Sequence, residues 1–213
     1  MNRFLDTCVV VAYCFPTHKF NKRCTEIEEI PQIWASDGVL REWRRTERYI
    51  IFEHNSAILE HIQYIKLNFN GNIGIEMKNQ LISHSPDDIY KFMELFYNRQ
   101  SYPIHADKLC DTLDKLMLGL RRKTKERFNN LKKICEIHSR ERDYPNKETE
   151  LAEYAHEEDI FILVDAHDLG LKIKPQPLTF LTTDNKLYDN RQEIVRLIEV
   201  NRIKDLKSES ALG

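Results

Sequence analysis

Short apolar runs open and close this chain, and a long stretch of three-to-four-residue periodicity lies between them. Residues 1–5 (MNRFL) read as a β-strand that stops at Asp6, and Thr7 can cap a helix through VVVAYCF until Pro16 breaks it. After the polar stretch 17–31, Ile33, Trp34 and Ala35 make a second short strand. Ser36 or Asp37 then caps a helix over GVLREWRRTERYIIF. Strand, acidic turn and helix thus occur twice in the first fifty residues.

From about 54 to 150 the signals are helical. Ile58, Ile62, Ile65 and Phe69 share one face, Asn70-Gly71-Asn72 turns the chain, and Ser85-Pro86-Asp87-Asp88 starts a helix over IYKFMELFYN. Two further helices are expected, over 106–119 and roughly 122–140, the second ended by Asp143-Tyr144-Pro145-Asn146; Ser101 to Ile104 is an alternative short edge strand. Residues 148–170 return to helix, with Ile162, Leu163, Ala166 and Leu169 as the inward stripe. Leu178 to Thr182 is β-rich, Thr183-Asp184-Asn185 turns, 189–197 is helical and Ile198 to Ile203 a last strand, before a frayed tail from Lys207 to Gly213. This pattern predicts an α/β fold, an open parallel sheet of about four to five short strands flanked by helices. It is built from residues 1–53 and 148–213 and carries a large helical insertion at 54–147.

Composition narrows the setting. With 213 residues the chain can bury a substantial core, and its five cysteines, Cys8, Cys14, Cys24, Cys110 and Cys135, lack CxxC spacing. They read as buried thiols in a reducing compartment. The opening segment reads as strand and helix rather than a secretory leader, no run approaches a membrane span, and the mean hydropathy is −0.56. A soluble, cytoplasmic protein is expected.

Net charge is −2, so the whole chain is not a polycation. Two basic clusters stand out: RRKTKERFNNLKK at 121–133, and Arg41, Arg44, Arg45 and Arg48. Each is either a solvated helix face or a phosphate-contacting surface. Trp34, Trp43, Tyr49 and Phe52 read as core rather than as platforms for stacking bases. The eight histidines form no HxH or HExxH arrangement, and no glycine-rich phosphate loop exists.

In an open α/β sheet, ligands bind beyond the carboxyl ends of the strands. Asp6 and Asp184 both follow strands there, although each could simply cap a helix. Phe4-Leu5-Asp6-Thr7, Ala35 to Glu42, Asp159 to Ala166 and Phe180 to Asp184 resemble, in order, the four acidic motifs of PIN-domain ribonucleases. The resemblance covers about residues 1–50 and 148–204. It implies a PIN-like, Rossmann-like core in which Asp6, Glu42, Asp159 and Asp184 converge as catalytic carboxylates. Asp6, Asp159 and Asp184 would hold Mg²⁺ or Mn²⁺, with Thr182 bonded behind them. Asp165 is the rival for the third position: it lies about 240° around the helix from Asp159, so both cannot face one pocket. The spacing to Ala166 favours Asp159, whereas the long link GLKIKPQPL favours Asp165.

The resemblance further implies metal-dependent cleavage of single-stranded RNA, with RNA as partner, a small antitoxin protein if the chain is a toxin, and a homodimer. A non-catalytic PIN-like RNA-binding or assembly module is the alternative. A haloacid-dehalogenase-like phosphatase would need a second Asp where this chain has Cys8. The helical insertion departs from the small members of the family. It could bind RNA, pack against a second subunit or enlarge the core.

Overall fold

A computed structural model describes residues 2–209. Five parallel strands form the central sheet: β1 (Asn2–Leu5), β2 (Ile33–Ser36), β5 (Cys135–His138), β6 (Leu178–Thr182) and β7 (Arg202–Asp205), in the order β5-β2-β1-β6-β7. All four residues of β1 and all five of β6 are buried, as expected of parallel strands covered on both faces. Phe4 and Phe180 are register partners on these strands, and their rings stack at 5.7 Å. A separate antiparallel ribbon joins β3 (Asn72–Ile73) to β4 (Ile104–His105).

The helices are α1 (Thr7–Cys14), α2 (Asn21–Cys24), α3 (Asp37–Asn68), α4 (Lys78–Ser83), α5 (Tyr90–Asn98), α6 (Ala106–Ile134), α7 (Pro145–Leu151), α8 (Glu157–Ile173), α9 (Asn185–Asp189) and α10 (Arg191–Leu197). At 32 and 29 residues, α3 and α6 run about 48 and 44 Å and pack against each other in opposite directions. Near the sheet, Trp43 of α3 stacks on Phe128 of α6 at 5.0 Å; at the outer end, Cys110 of α6 meets the carbonyl of Ile62.

Two cores result. One surrounds the sheet and includes Phe4, Val9, Trp43, Leu163 and Phe180; the other, built on Ile58, Ile65, Leu81, Met93 and Leu109, joins the outer ends of α3 and α6 to the helices between them. Each such side chain contributes about 1.5–3 kcal/mol by leaving water. The outer helices therefore have apolar contacts of their own.

Several sequence expectations need correction. The helices expected on either side of residue 53 are one, because Ile58, Ile62 and Ile65 continue a buried face that no Pro or Gly interrupts; α3 thus crosses the expected start of the insertion unbroken. The two helices expected over 106–119 and 122–140 also fuse, and α6 ends at Ile134. Cys135 to His138 turns from helix to strand because the open edge of β2 supplies hydrogen-bond partners from Ile33 to Ser36. A stretch assigned to the insertion thereby becomes the sheet's outer strand.

The last strand lies at 202–205 rather than 198–203, since Ile198 serves as the end of α10. Trp43 is fully buried and Trp34 half-buried, but Tyr49 and Phe52 are 62% and 69% exposed, not core. Residues 210–213 of the expected frayed tail lie outside the described residues. Among the described residues, no helix is long and apolar enough to cross a membrane.

Candidate functional site

The strand order reverses between β1 and β6, which are neighbours although most of the chain separates them. That reversal opens a crevice beyond the strands' carboxyl ends, where open α/β sheets place ligands. Asp6 stands directly after β1, and its N–H is bonded to the Leu181 carbonyl at 3.0 Å. Asp184 stands two residues after β6. The local order apolar strand, then acid, then helix brings both to the same edge.

Asp6 occupies the N-cap position of α1, yet its carboxylate makes no capping bond. Its Oδ2 instead accepts from Thr182 Oγ1 at 2.7 Å and from the Cys8 thiol at 2.9 Å. Thr182 Oγ1 in turn accepts the Asp184 N–H at 2.9 Å, and Cys8 Sγ accepts the Thr183 N–H at 3.0 Å. These bonds stitch the end of β6 to the start of α1 around one oxygen. Asp184 also caps α9, its Oδ1 accepting the Leu187 N–H at 3.0 Å.

Glu42 comes from the second turn of α3, whose start is fixed by Ser36 Oγ accepting the Val39 N–H at 3.3 Å. Its Oε2 accepts from Thr7 Oγ1 at 2.7 Å. Asp159 enters from the first turn of α8. The four expected carboxylates thus come from four segments, near enough for Asp159 to feel the charges of the other three.

Their charges interact. Burial pushes the Asp6 carboxyl up, Asp184 adds to the rise, and the hydrogen bonds from Cys8 and Thr182 oppose it. Burial raises Glu42 likewise, with Asp6 and Glu158 adding to it. Asp159 is pushed up to about 7, by burial first and then by Asp6, Asp184 and Glu42. It feels all three of the others.

Asp165 is elsewhere. Burial raises it, Ser36 and Arg140 offset that, and Arg140 Nε lies 3.4 Å from its Oδ1. Its Oδ2 lies where a side chain on Gly38 would have to go, 2.9 Å from that Cβ position. Asp165 therefore ties α8 to the start of α3. Asp168, about 180° from Asp159 around the same helix, accepts from Tyr144 Oη at 2.6 Å, His138 Nε2 at 2.9 Å and the Glu141 N–H at 3.1 Å. Of the three aspartates on α8, only Asp159 feels the charges of Asp6, Glu42 and Asp184.

Among the described residues, no three His, Cys, Asp or Glu side chains are gathered tightly enough to hold an ion. Carboxylate oxygens, mutually repelling and partly buried, are the type of donor that hard divalent cations take. Cys8 adds no soft ligand, because burial and the Asp6 charge hold its thiol well above its usual pKa, so it acts as a donor to Asp6. This thiol and the Thr7 hydroxyl are partners of the acids that the sequence marks only by their places, two and one residues after Asp6.

A testable consequence follows from the raised pKa of Asp159. Its folded value, about 7, exceeds the unfolded value near 3.8, so the folded state holds an extra proton between them and loses stability as pH rises through that window. Asp159→Asn should therefore stabilise the metal-free protein relative to wild type. The gap in melting temperature should open between about pH 4 and 7 and stay level above; a gap independent of pH would refute the assignment.

Beside the cluster, Gly38, Arg41, Glu42, Arg45, Phe161 and Ile162 border an open pocket of about 360 Å³. No protein-family model, curated protein or solved structure matches this chain.

Proposed function

We propose that the protein is a metal-dependent endoribonuclease of PIN-domain type that cuts single-stranded RNA. The observation that carries this reading is the coupling of Asp159 to Asp6, Glu42 and Asp184 at the point where the strand order reverses. Carboxylates are expensive to crowd together out of water, and their arrangement here leaves a demand for positive charge that a cation satisfies. Five free thiols fit a cytoplasmic setting.

Asp6, Asp159 and Asp184 are the residues to hold Mg²⁺ or Mn²⁺, and Thr182 and Cys8 fix the orientation of the Asp6 carboxylate. When bound, such a cation lowers the pKa of water and offsets charge developing on a phosphodiester. Glu42, raised above the usual carboxylate range and oriented by Thr7, is placed to take the proton of the attacking water on its carboxylate. Arg45, near enough to pull the Glu42 carboxyl down, borders the same pocket and is the cation to meet a phosphate there.

The test is direct. Purified protein with Mn²⁺ should cut a single-stranded RNA, and Mn²⁺ alone should raise its melting temperature, because an ion that binds only the folded state stabilises it. The open spacing of the carboxylates favours a second reading, a non-catalytic RNA-binding module of the same fold. In that case neither cutting nor a Mn²⁺-dependent rise would be seen.

A further inference from the structure

The two basic clusters of the sequence meet. On α3, Arg41, Arg45, Arg48 and Phe52 recur at four- and three-residue steps, which places all four within an arc of about 60° along some 16 Å of helix. Tyr49 borders the same face. All three arginines are exposed, as are the two rings. At one end this ridge adjoins the acidic cluster through Arg41 and Arg45, which border the pocket containing Glu42 and the half-exposed Phe161.

On its flank the ridge borders a groove of about 680 Å³ between α3 and α6. Arg44, Arg48, Arg121, Arg122, Lys125 and Lys132 line it, against the single acid Glu47. Its floor is apolar, with Trp43, Ile51 and Phe128 among the lining. Arg122 pairs with Glu126 at 3.8 Å, and Lys132 lies 5.3 Å from the Phe128 ring. Among the described residues no carboxylate is within salt-bridge distance of Arg44, Arg48, Arg121 or Lys125. A protein of net charge −2 thus concentrates unneutralised cations in one groove.

We propose that single-stranded RNA leaving the acidic cluster runs over the Arg41–Arg45–Arg48–Phe52 ridge and into the α3–α6 groove. The arginines hold its phosphates, and Phe52 and Tyr49 stack its bases. Cations interleaved with exposed rings suit an unpaired strand, because stacking needs a free base face and phosphate contact needs no sequence. A second copy of the chain presenting the same groove would meet it with like charge. The direction of the path from the acidic cluster rests on the ribonuclease reading; binding in the groove does not.

The experiment measures binding with cutting switched off. A fluorescein-labelled oligouridylate of about 20 nucleotides is titrated by anisotropy in EDTA, across 50–200 mM salt. Arg44→Ala/Arg48→Ala should weaken binding at least tenfold and lower the slope of log affinity against log salt by about 1.4, since each phosphate contact to a single strand contributes about 0.7. Phe52→Ala should weaken it roughly fivefold or more. Lys108→Ala, near the outer end of α6, should leave it unchanged; thermal melts check that each variant folds.

Unchanged affinity and slope in the double variant overturn the proposal. So does duplex RNA binding as tightly as the single strand with Phe52→Ala silent, or a shift in sedimentation without loss of RNA binding, which would assign the groove to a second copy. If the wild type binds in the expected pattern but never cuts RNA with Mn²⁺, the ribonuclease reading fails and the groove assignment stands. If it cuts, and the double variant binds and cuts equally well, only the groove assignment fails.

Discussion

Asp6→Asn should lower RNA cleavage by on the order of 10³-fold, about 4 kcal/mol of transition-state stabilisation, without lowering the melting temperature at pH 7–8. The two halves of this expectation have different causes. The amide oxygen of Asn can still accept from Thr182 and Cys8, which now donate to Asp6 Oδ2 at 2.7 and 2.9 Å. Fold and local geometry are kept. The negative charge is not, and burial already resists that charge, so its removal favours the metal-free fold. Cleavage and the Mn²⁺-dependent rise in melting temperature should disappear together. A variant that cuts as fast as wild type would show that the activity resides in another site or another protein.

The opposite sign is expected one helix face away. Asp168 is buried, and although burial alone raises its carboxyl, the donors Tyr144, Glu141 N–H and His138 outweigh it and hold the group below the usual carboxylate range. A depressed folded pKa means stability that is present above the unfolded value near 3.8 and lost as pH falls through the folded one. Asp168→Ala strands three donors around a buried gap and should cost about 3–5 kcal/mol, read by urea denaturation at neutral pH. As pH falls below the unfolded value the difference from wild type should shrink. RNA cleavage measured well below the variant's melting temperature should persist, because Asp168 belongs to the link between α8, β5 and the loop before α7. Loss of activity in a folded Asp168→Ala protein would bring that network into the site.

Asp159 and Asp168 share one helix and one residue type, yet one is a charge the fold tolerates at a cost and the other an anchor the fold depends on. Their separation by about 180° around α8 is legible from helical period. Which face turns toward Asp6 is not, because both acids are followed by apolar residues that serve equally well as an inward stripe.

Much of the fold was legible because its signals are local. Short apolar runs ending in Asp6 and Asp184, with helix-forming segments after them, dictate strands that present acids at one edge, and the parallel α/β arrangement follows from their alternation with helices. The sequence could not show that Cys135 to His138 would leave a helical pattern for a strand. That choice belongs to the unpaired edge of β2, a partner about a hundred residues away. Aromatic character alone likewise marked Tyr49 and Phe52 as candidates for the core, whereas the packing of Trp43 and its neighbours between α3, α1 and α6 left those two rings outside. Which acids can lie at the sheet's edge, and which helices are basic, follows from local pattern in the chain. That Asp159 rather than Asp165 feels the other three acids, and that the two basic clusters form one groove, follows from folding, because both outcomes depend on how long helices rotate and pair against distant segments.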